Sequence, residues 1–221
     1  MSNNGMLKSS IARKVAMALS GLFLILFLGQ HFFINSMSVV SPDTFNEISH
    51  FMGYNPVVQF VLQPILIFGV IFHFCMGLYL DYQNKKARPI KYVKNNGAAN
   101  ASWMSRNMVI TGIVVLAFLG LHFYDFWVHE MNVKYINVQP EDPTRYYEEL
   151  RQKFVDPVRV GIYVVSFVLL ALHLLHGFMS SFQSIGFNNK YSRSLRGFAY
   201  AFAILVPAGF ALIALYHHFT I

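Results

Sequence analysis

The chain has 221 residues, of which 55% are hydrophobic and only 12% charged, with a formal net charge of +7. A soluble domain carries about twice that share of charge. A water-soluble bundle of buried helices would need far more polar surface than this chain can supply. Residues 15–42, 48–80, 107–124, 160–189 and 197–221 contain no Asp, Glu, Lys or Arg, and a helix crosses a bilayer core with about 20 mostly apolar residues.

Five transmembrane helices are predicted, near 14–36, 57–81, 105–128, 157–183 and 195–219, within one transmembrane domain over 1–221. The fold class is an all-α membrane protein with a four-helix core and a fifth helix beside it. The opening "MSNNGMLKSSIARK" is polar and basic, and no small-residue cleavage site follows, so helix one reads as retained. The loop after it, "SPDTFNEISHFMG", predicts a short interfacial helix. The loop after helix two, "NKKARPIKYVKNNGAANAS", is basic and expected to be irregular, broken by Pro89 and Gly97. After helix three, Asp142 as N-cap with Pro143 behind it predicts a short surface helix through "DPTRYYEELRQKF". The single cysteine, Cys75, has no partner for an intrachain disulfide, and no CxxCH motif exists for covalent haem attachment.

The positive residues mark one side. Lys8, Arg13 and Lys14 precede helix one. Lys85, Lys86, Arg88, Lys91, Lys94 and Arg106 join helices two and three, and Lys190, Arg193 and Arg196 join four and five. The other loops hold Asp43 and Glu47, and a mixed, acid-rich set from Glu130 to Asp156. By the positive-inside rule the N-terminus is expected in the cytoplasm and the C-terminus outside. Such basicity suits a face that meets anionic lipid or an acidic partner; nucleic acid is not its explanation.

The chain also repeats itself. Helix one reads "GLFLILFLGQHFF" from Gly21 and helix three "GIVVLAFLGLHFY" from Gly112, each with Phe-Leu-Gly and a histidine ten residues after the first glycine. Helices two and four open on "NPVV" and "DPVR", and later share H-x-x-x-G, at His73–Gly77 and His173–Gly177. Two copies of a hairpin, plus a fifth helix, account for the pattern.

Depth then sorts the histidines. His31 lies seventeen residues after Lys14 and His122 sixteen after Arg106, about 24–26 Å from the cytoplasmic end at 1.5 Å per residue. Helices two and four run inward, so His73 and His173, counted from Pro56 and Pro157, fall in the inner part of the core. Each level holds one histidine from each copy, and two facing imidazoles form a bis-histidine site for haem b. The expected iron ligands are His31 and His122 at the outer level, and His73 and His173 at the inner. Gly77 and Gly177, one turn beyond their histidines, and Gly21 and Gly112, near the inner level, are placed to clear room for a macrocycle. Close helix packing is the plainer use of such glycines. Arg13, Lys14, Arg106, Arg193 and Arg196 are candidates for haem propionates, and His176 for a place beside them. The helix interiors are expected to hold no acid, with Asp81 and Asp125 near the ends. His50, His129, His217 and His218 are expected to be solvated interfacial residues. Glu47, His50, Asp125 and His129 mark a candidate quinone region, because quinol oxidation needs a proton acceptor.

The residues "GQHFF" around His31, "FHFCMG" around His73, "SRNMVITG…FLGLHFYDFW" around His122 and "LHLLHG" around His173 resemble the cytochrome b558 subunit of succinate dehydrogenase and fumarate reductase. The likeness runs over nearly the whole chain. It implies a five-helix anchor with two haem b groups, whose four axial ligands match His31, His73, His122 and His173. It further implies a flavoprotein partner with FAD and an iron–sulfur subunit on the cytoplasmic face of a bacterial cytoplasmic membrane. Electrons would then pass between menaquinone and the succinate/fumarate couple of the respiratory chain and tricarboxylic acid cycle, and a dimer of the complex is among the assemblies it allows. One position departs: some fumarate reductases of this family carry a glutamate where Ala171 stands, which leaves the physiological direction open. A di-haem cytochrome b of a hydrogenase or nitrate reductase, and a haem-free histidine-bearing transporter, are the competing readings.

Overall fold

A computed structural model describes residues 9–87, 106–187 and 191–220. The basic positions Lys8, Arg88, Lys91, Lys94 and Lys190, and the loop expected to break at Pro89 and Gly97, lie outside the described residues. Among the described residues there is no strand. Five helices are long and apolar enough to cross a membrane: α1 (Ser10–Val40), α3 (Val58–Lys86), α4 (Met108–Ile136), α6 (Pro157–Ser184) and α7 (Ser192–Phe219). Two short helices, α2 (Pro42–Tyr54) and α5 (Tyr146–Lys153), follow α1 and α4.

Local chemistry explains where several of these begin. Ser41 accepts a hydrogen bond from the Thr44 amide at 3.3 Å, and Pro42 follows it, which starts α2 as expected. Asn55 Oδ1 accepts from the Val57 and Val58 amides at 2.9 and 3.2 Å, and Asp156 Oδ1 from the Val158 amide at 3.0 Å. The "NPVV" and "DPVR" openings are therefore one capping device used twice. Asp142, however, does not cap α5. Its carboxylate is taken by the amide and hydroxyl of Thr144, at 2.8 and 2.7 Å, which closes a turn and delays the helix to Tyr146.

α4 runs to Ile136, past the expected end at 128. It does so through two π-helical turns, Phe123–Val128 and Asn132–Ile136, each of which shifts the faces that later residues present.

We call the end where α1, α4 and α7 begin the lower end; α3 and α6 run the other way. α6 is central, packed against α1, α4 and α7, and it buries Val160, Tyr163, Ser166, Phe167, Leu174, Phe178 and Ser181. The upper core joins Phe45, Leu150, Phe154, Phe167 and Phe210, and the lower core joins Ile25, Leu174, Phe178, Ala199 and Ala203. Small residues let the helices close in, as is usual in membranes. Ala199, Ala203 and Ala214 are buried where α7 meets its neighbours. α3 lies at the edge. Its Phe60, Phe68, Ile71 and Tyr82 are exposed, the outward apolar surface that lipid requires.

Candidate functional site

The four expected ligands meet in two pairs. His73 of α3 and His173 of α6 have ring centroids 6.5 Å apart, with their planes crossed at 70°. His31 of α1 and His122 of α4 lie 5.6 Å apart at 85°. The lower pair is level with Ser20 and Gly21. His31 follows Gly21 by ten residues, so the two levels are about 15 Å apart along α1.

The lower pair is framed twice in the same way. Ser20 Oγ is 3.0 Å from His73 Nδ1, and Thr111 Oγ1 is 3.2 Å from His173 Nδ1. The next residue of each helix is a glycine. A Cβ on Gly21 would stand 3.3 Å from His73 Cε1, and one on Gly112 3.5 Å from His173 Cε1. The ring edges thus lie against the space where a side chain would start. Beside Gly77 and Gly177 the space is taken by methionine methyls, Met17 at 3.5 Å and Met108 at 3.0 Å from a Cβ built there. The repeat therefore starts earlier than its first glycine, as Met-x-x-Ser-Gly from Met17 and Met-x-x-Thr-Gly from Met108. Ser20 and Thr111 are site residues that the sequence reading missed. A hydroxyl one place before each matched glycine was the signal that could have found them.

The upper pair sits among aromatic rings. Phe27 stacks on His31 at 5.4 Å and Phe118 lies tilted against His122 at 5.9 Å, each one turn back in its own helix. Phe210 reaches His31 at 5.6 Å and Phe126 reaches His122 at 5.1 Å. Asn35 Nδ2 lies 3.4–3.5 Å from the His31 ring nitrogens, but its better bond, at 2.8 Å, goes to the His31 carbonyl. His122 Nδ1 is buried with no hydrogen-bond partner among the described residues.

Among the described residues no group of three or more His, Cys, Asp or Glu gathers to form an all-protein metal cage. Imidazoles in facing pairs are instead the set that a six-coordinate haem iron takes from protein. The donor chemistry of the two facing pairs fits that group.

Above the upper pair, the expectation of acid-free helix interiors is corrected. Asp125, three residues past His122, is 1% exposed, because α4 continues beyond it and α6 covers it. Its Oδ2 accepts from the Tyr163 hydroxyl at 2.9 Å, with Arg159 Nε 3.5 Å away, and its Oδ1 is buried without a partner among the described residues. His217 is likewise not solvated but wholly buried. Its Nε2 is 2.9 Å from Ser38 Oγ and the Phe154 ring lies parallel to it, since α1 and the segment after α5 extend over the end of α7. His218 Nδ1 donates to the Phe154 carbonyl at 2.8 Å.

The candidate quinone residues do not form one group. Glu47 is exposed, His50 pairs with Glu141 at 2.8 Å, His129 with Glu149 at 3.4 Å, and Asp125 with Tyr163. His50 and His129 border an ion-pair network. Glu130 binds Lys134 at 2.6 Å and also Arg145, Arg145 binds Glu149 at 2.8 Å, and Lys134 donates to the Gly53 carbonyl at 2.5 Å. This network pins α2 and α5 to the top of α4. Burial, reinforced by the Glu130 charge, pushes the Tyr146 hydroxyl pKa up. Burial opposes the Arg145 charge, yet its hydrogen bonds to Glu149 and Glu130 outweigh that and hold the guanidinium above its ordinary value.

At the lower end Arg13 Nη1 donates to the Tyr79 hydroxyl at 2.8 Å, and Arg106 is exposed. His176 lies apart from the pairs, in a cleft of about 300 Å³ that it lines with Met179, Gln183, Arg196 and Tyr200.

Five apolar helices around two facing imidazole pairs define a multi-pass membrane protein with paired intramembrane histidines. No protein-family model and no solved structure matches the chain. It is similar to the succinate dehydrogenase cytochrome b558 subunit of Bacillus subtilis (strain 168), 24% identical over 157 residues that make up 70% of this chain and 69% of that one. This likeness supports the family resemblance carried by the histidine motifs.

Proposed function

We propose that the chain is the di-haem membrane anchor of a succinate:quinone oxidoreductase. The observation that carries this reading is the pairing of His31 with His122 and of His73 with His173, across different helices at two levels. His31 with His122, and His73 with His173, would each hold one haem b, and haem bound there would supply one-electron redox chemistry. The chain's own part is to hold the rings and keep water away. Phe27, Phe118, Phe126 and Phe210 pack directly on the upper pair, while Arg13, Arg106 and His176 are the lower-end groups available to propionates.

At the upper end Asp125, with Tyr163 and Arg159 beside it, supplies a carboxylate next to the upper pair. Glu47, His50 and His129 supply further proton acceptors toward the surface, as exchange of protons with menaquinone requires. The lower end faces the cytoplasm of a bacterial cell, and its Lys and Arg meet an iron–sulfur subunit and an FAD-bearing flavoprotein that carry the succinate/fumarate chemistry.

A reduced-minus-oxidised spectrum of the purified protein tests this. Two b-type components are expected, one of them lost in His73→Ala and in His173→Ala, and both kept in His176→Ala. A spectrum without b-type bands would sink the reading. Nickel or molybdenum in the co-purifying subunits would assign the chain to a different respiratory complex.

A further inference from the structure

We propose that Ser20 and Thr111 are positioning residues that fix the tautomer, and through it the ligand strength, of the lower histidine pair, a role that presupposes the haem reading above. A hydroxyl has one proton to give and two lone pairs to offer. Ser20 Oγ donates to the Met17 carbonyl at 2.8 Å, and Thr111 Oγ1 to the Met108 carbonyl at 2.9 Å. Each proton is thus committed to the backbone three residues back in its own helix. Only lone pairs remain for the imidazoles at 3.0 and 3.2 Å, so the ring proton must sit on Nδ1 of His73 and of His173. Nε2 of both rings is then left with its lone pair, the atom and state that binds a metal. A ring N–H held by a fixed acceptor also orients the ring and makes the opposite nitrogen a stronger ligand.

The same relay arises twice, at the same place in both copies of the repeat, with serine in one and threonine in the other. The glycine after each hydroxyl lets the ring edge come this close. The upper pair has no equivalent. His122 Nδ1 is unpartnered among the described residues, and His31 meets only the Asn35 amide nitrogen, which donates and cannot accept a ring proton. The relay alone does not mark a ligand. Ser38 donates to the Asn35 carbonyl at 2.7 Å and meets His217 through Nε2 instead. What sets the lower site apart is that both relayed rings are held by Nδ1 and belong to one facing pair.

Redox titration and ferric electron paramagnetic resonance of the purified complex test the proposal, with the lower component identified as the one lost in His173→Ala. Removing the acceptor weakens the ligand and favours the reduced iron. Ser20→Ala and Thr111→Val are therefore expected to raise the midpoint potential of the lower component and shift its low-spin signal, leaving the upper one in place. Thr111→Ser, which keeps the hydroxyl, is expected to behave as wild type. Loss of the lower component alone in Thr111→Val, with its return in Thr111→Ser, supports the same role. Unmoved potentials and signals, equal movement of both components, loss of both, or a Thr111→Ser variant that matches Thr111→Val would each overturn it. A wild-type protein without b-type components defeats the haem reading itself, and is seen before any hydroxyl is changed.

Discussion

Asp125 is buried with one carboxylate oxygen satisfied and the other without a partner among the described residues. Its worth to the fold lies in what it does for Tyr163, whose hydroxyl has no water to turn to at 2% exposure. Asp125→Ala would orphan that hydroxyl, and a buried unsatisfied group costs about 1–3 kcal/mol. Asp125→Asn keeps an acceptor in place and is expected to lose less. Thermal unfolding of the purified protein in detergent compares them, and equal losses would mean that the bond to Tyr163 is not what Asp125 provides. Single residues were unevenly legible. His31, His73, His122 and His173 stood out because an imidazole in an apolar run is conspicuous and the repeat supplied each with a counterpart. Asp125 and His217 did not. Both lie near expected helix ends, and only the tertiary packing shows that Tyr163 covers one and that Phe154 and Ser38 enclose the other.

At the scale of the element, the apolar runs located all five long helices and the segment "SPDTFNEISHFMG" read as a short helix, which is α2. Of the boundaries that moved, the start of α5 and the end of α4 did so for one shared reason: a side chain spent its hydrogen bonds elsewhere. Asp142 satisfied Thr144 in place of a helix start, and Glu130 and Lys134 neutralised each other inside α4, so charges that looked like a loop continue a helix. Packing between elements turns on small residues. A Cβ on Gly209 of α7 would collide with the Phe32 ring of α1, whereas one on Gly120 of α4 would meet nothing. Overpacking of this kind costs about 1–3 kcal/mol. Gly209→Ala is therefore expected to lower the unfolding temperature and Gly120→Ala to leave it unchanged. If both variants unfold with the wild type, α1 and α7 are not closely seated there. Gly21→Val adds a local test. It would push the His73 ring from its place and is expected to remove the lower b-type component while sparing the upper, as read in the difference spectrum.

The whole molecule carries its charge asymmetrically. By sequence position, the 17 Lys and Arg divide twelve to five between the lower and upper ends. The five upper ones include Lys134, Arg145, Arg151 and Arg159, each of which stands against an acid. At the lower end, Lys85 is paired with Asp81, while Lys14, Arg193 and Arg196 present cations with no acid opposite among the described residues. Lys and Arg retained on one side are what orients a membrane protein during insertion, so the lower end is expected in the cytoplasm. Exposed positions at the two ends, Ala87 and Gln139, allow a direct measurement. In a Cys75→Ser background, Gln139→Cys should react with a membrane-impermeant maleimide on intact spheroplasts, and Ala87→Cys only after the membrane is opened. The reverse labelling would place the cationic face outside the cell. A dehydrogenase that draws on cytoplasmic succinate or fumarate could not dock there, so the labelling pattern tests the partner assignment together with the topology.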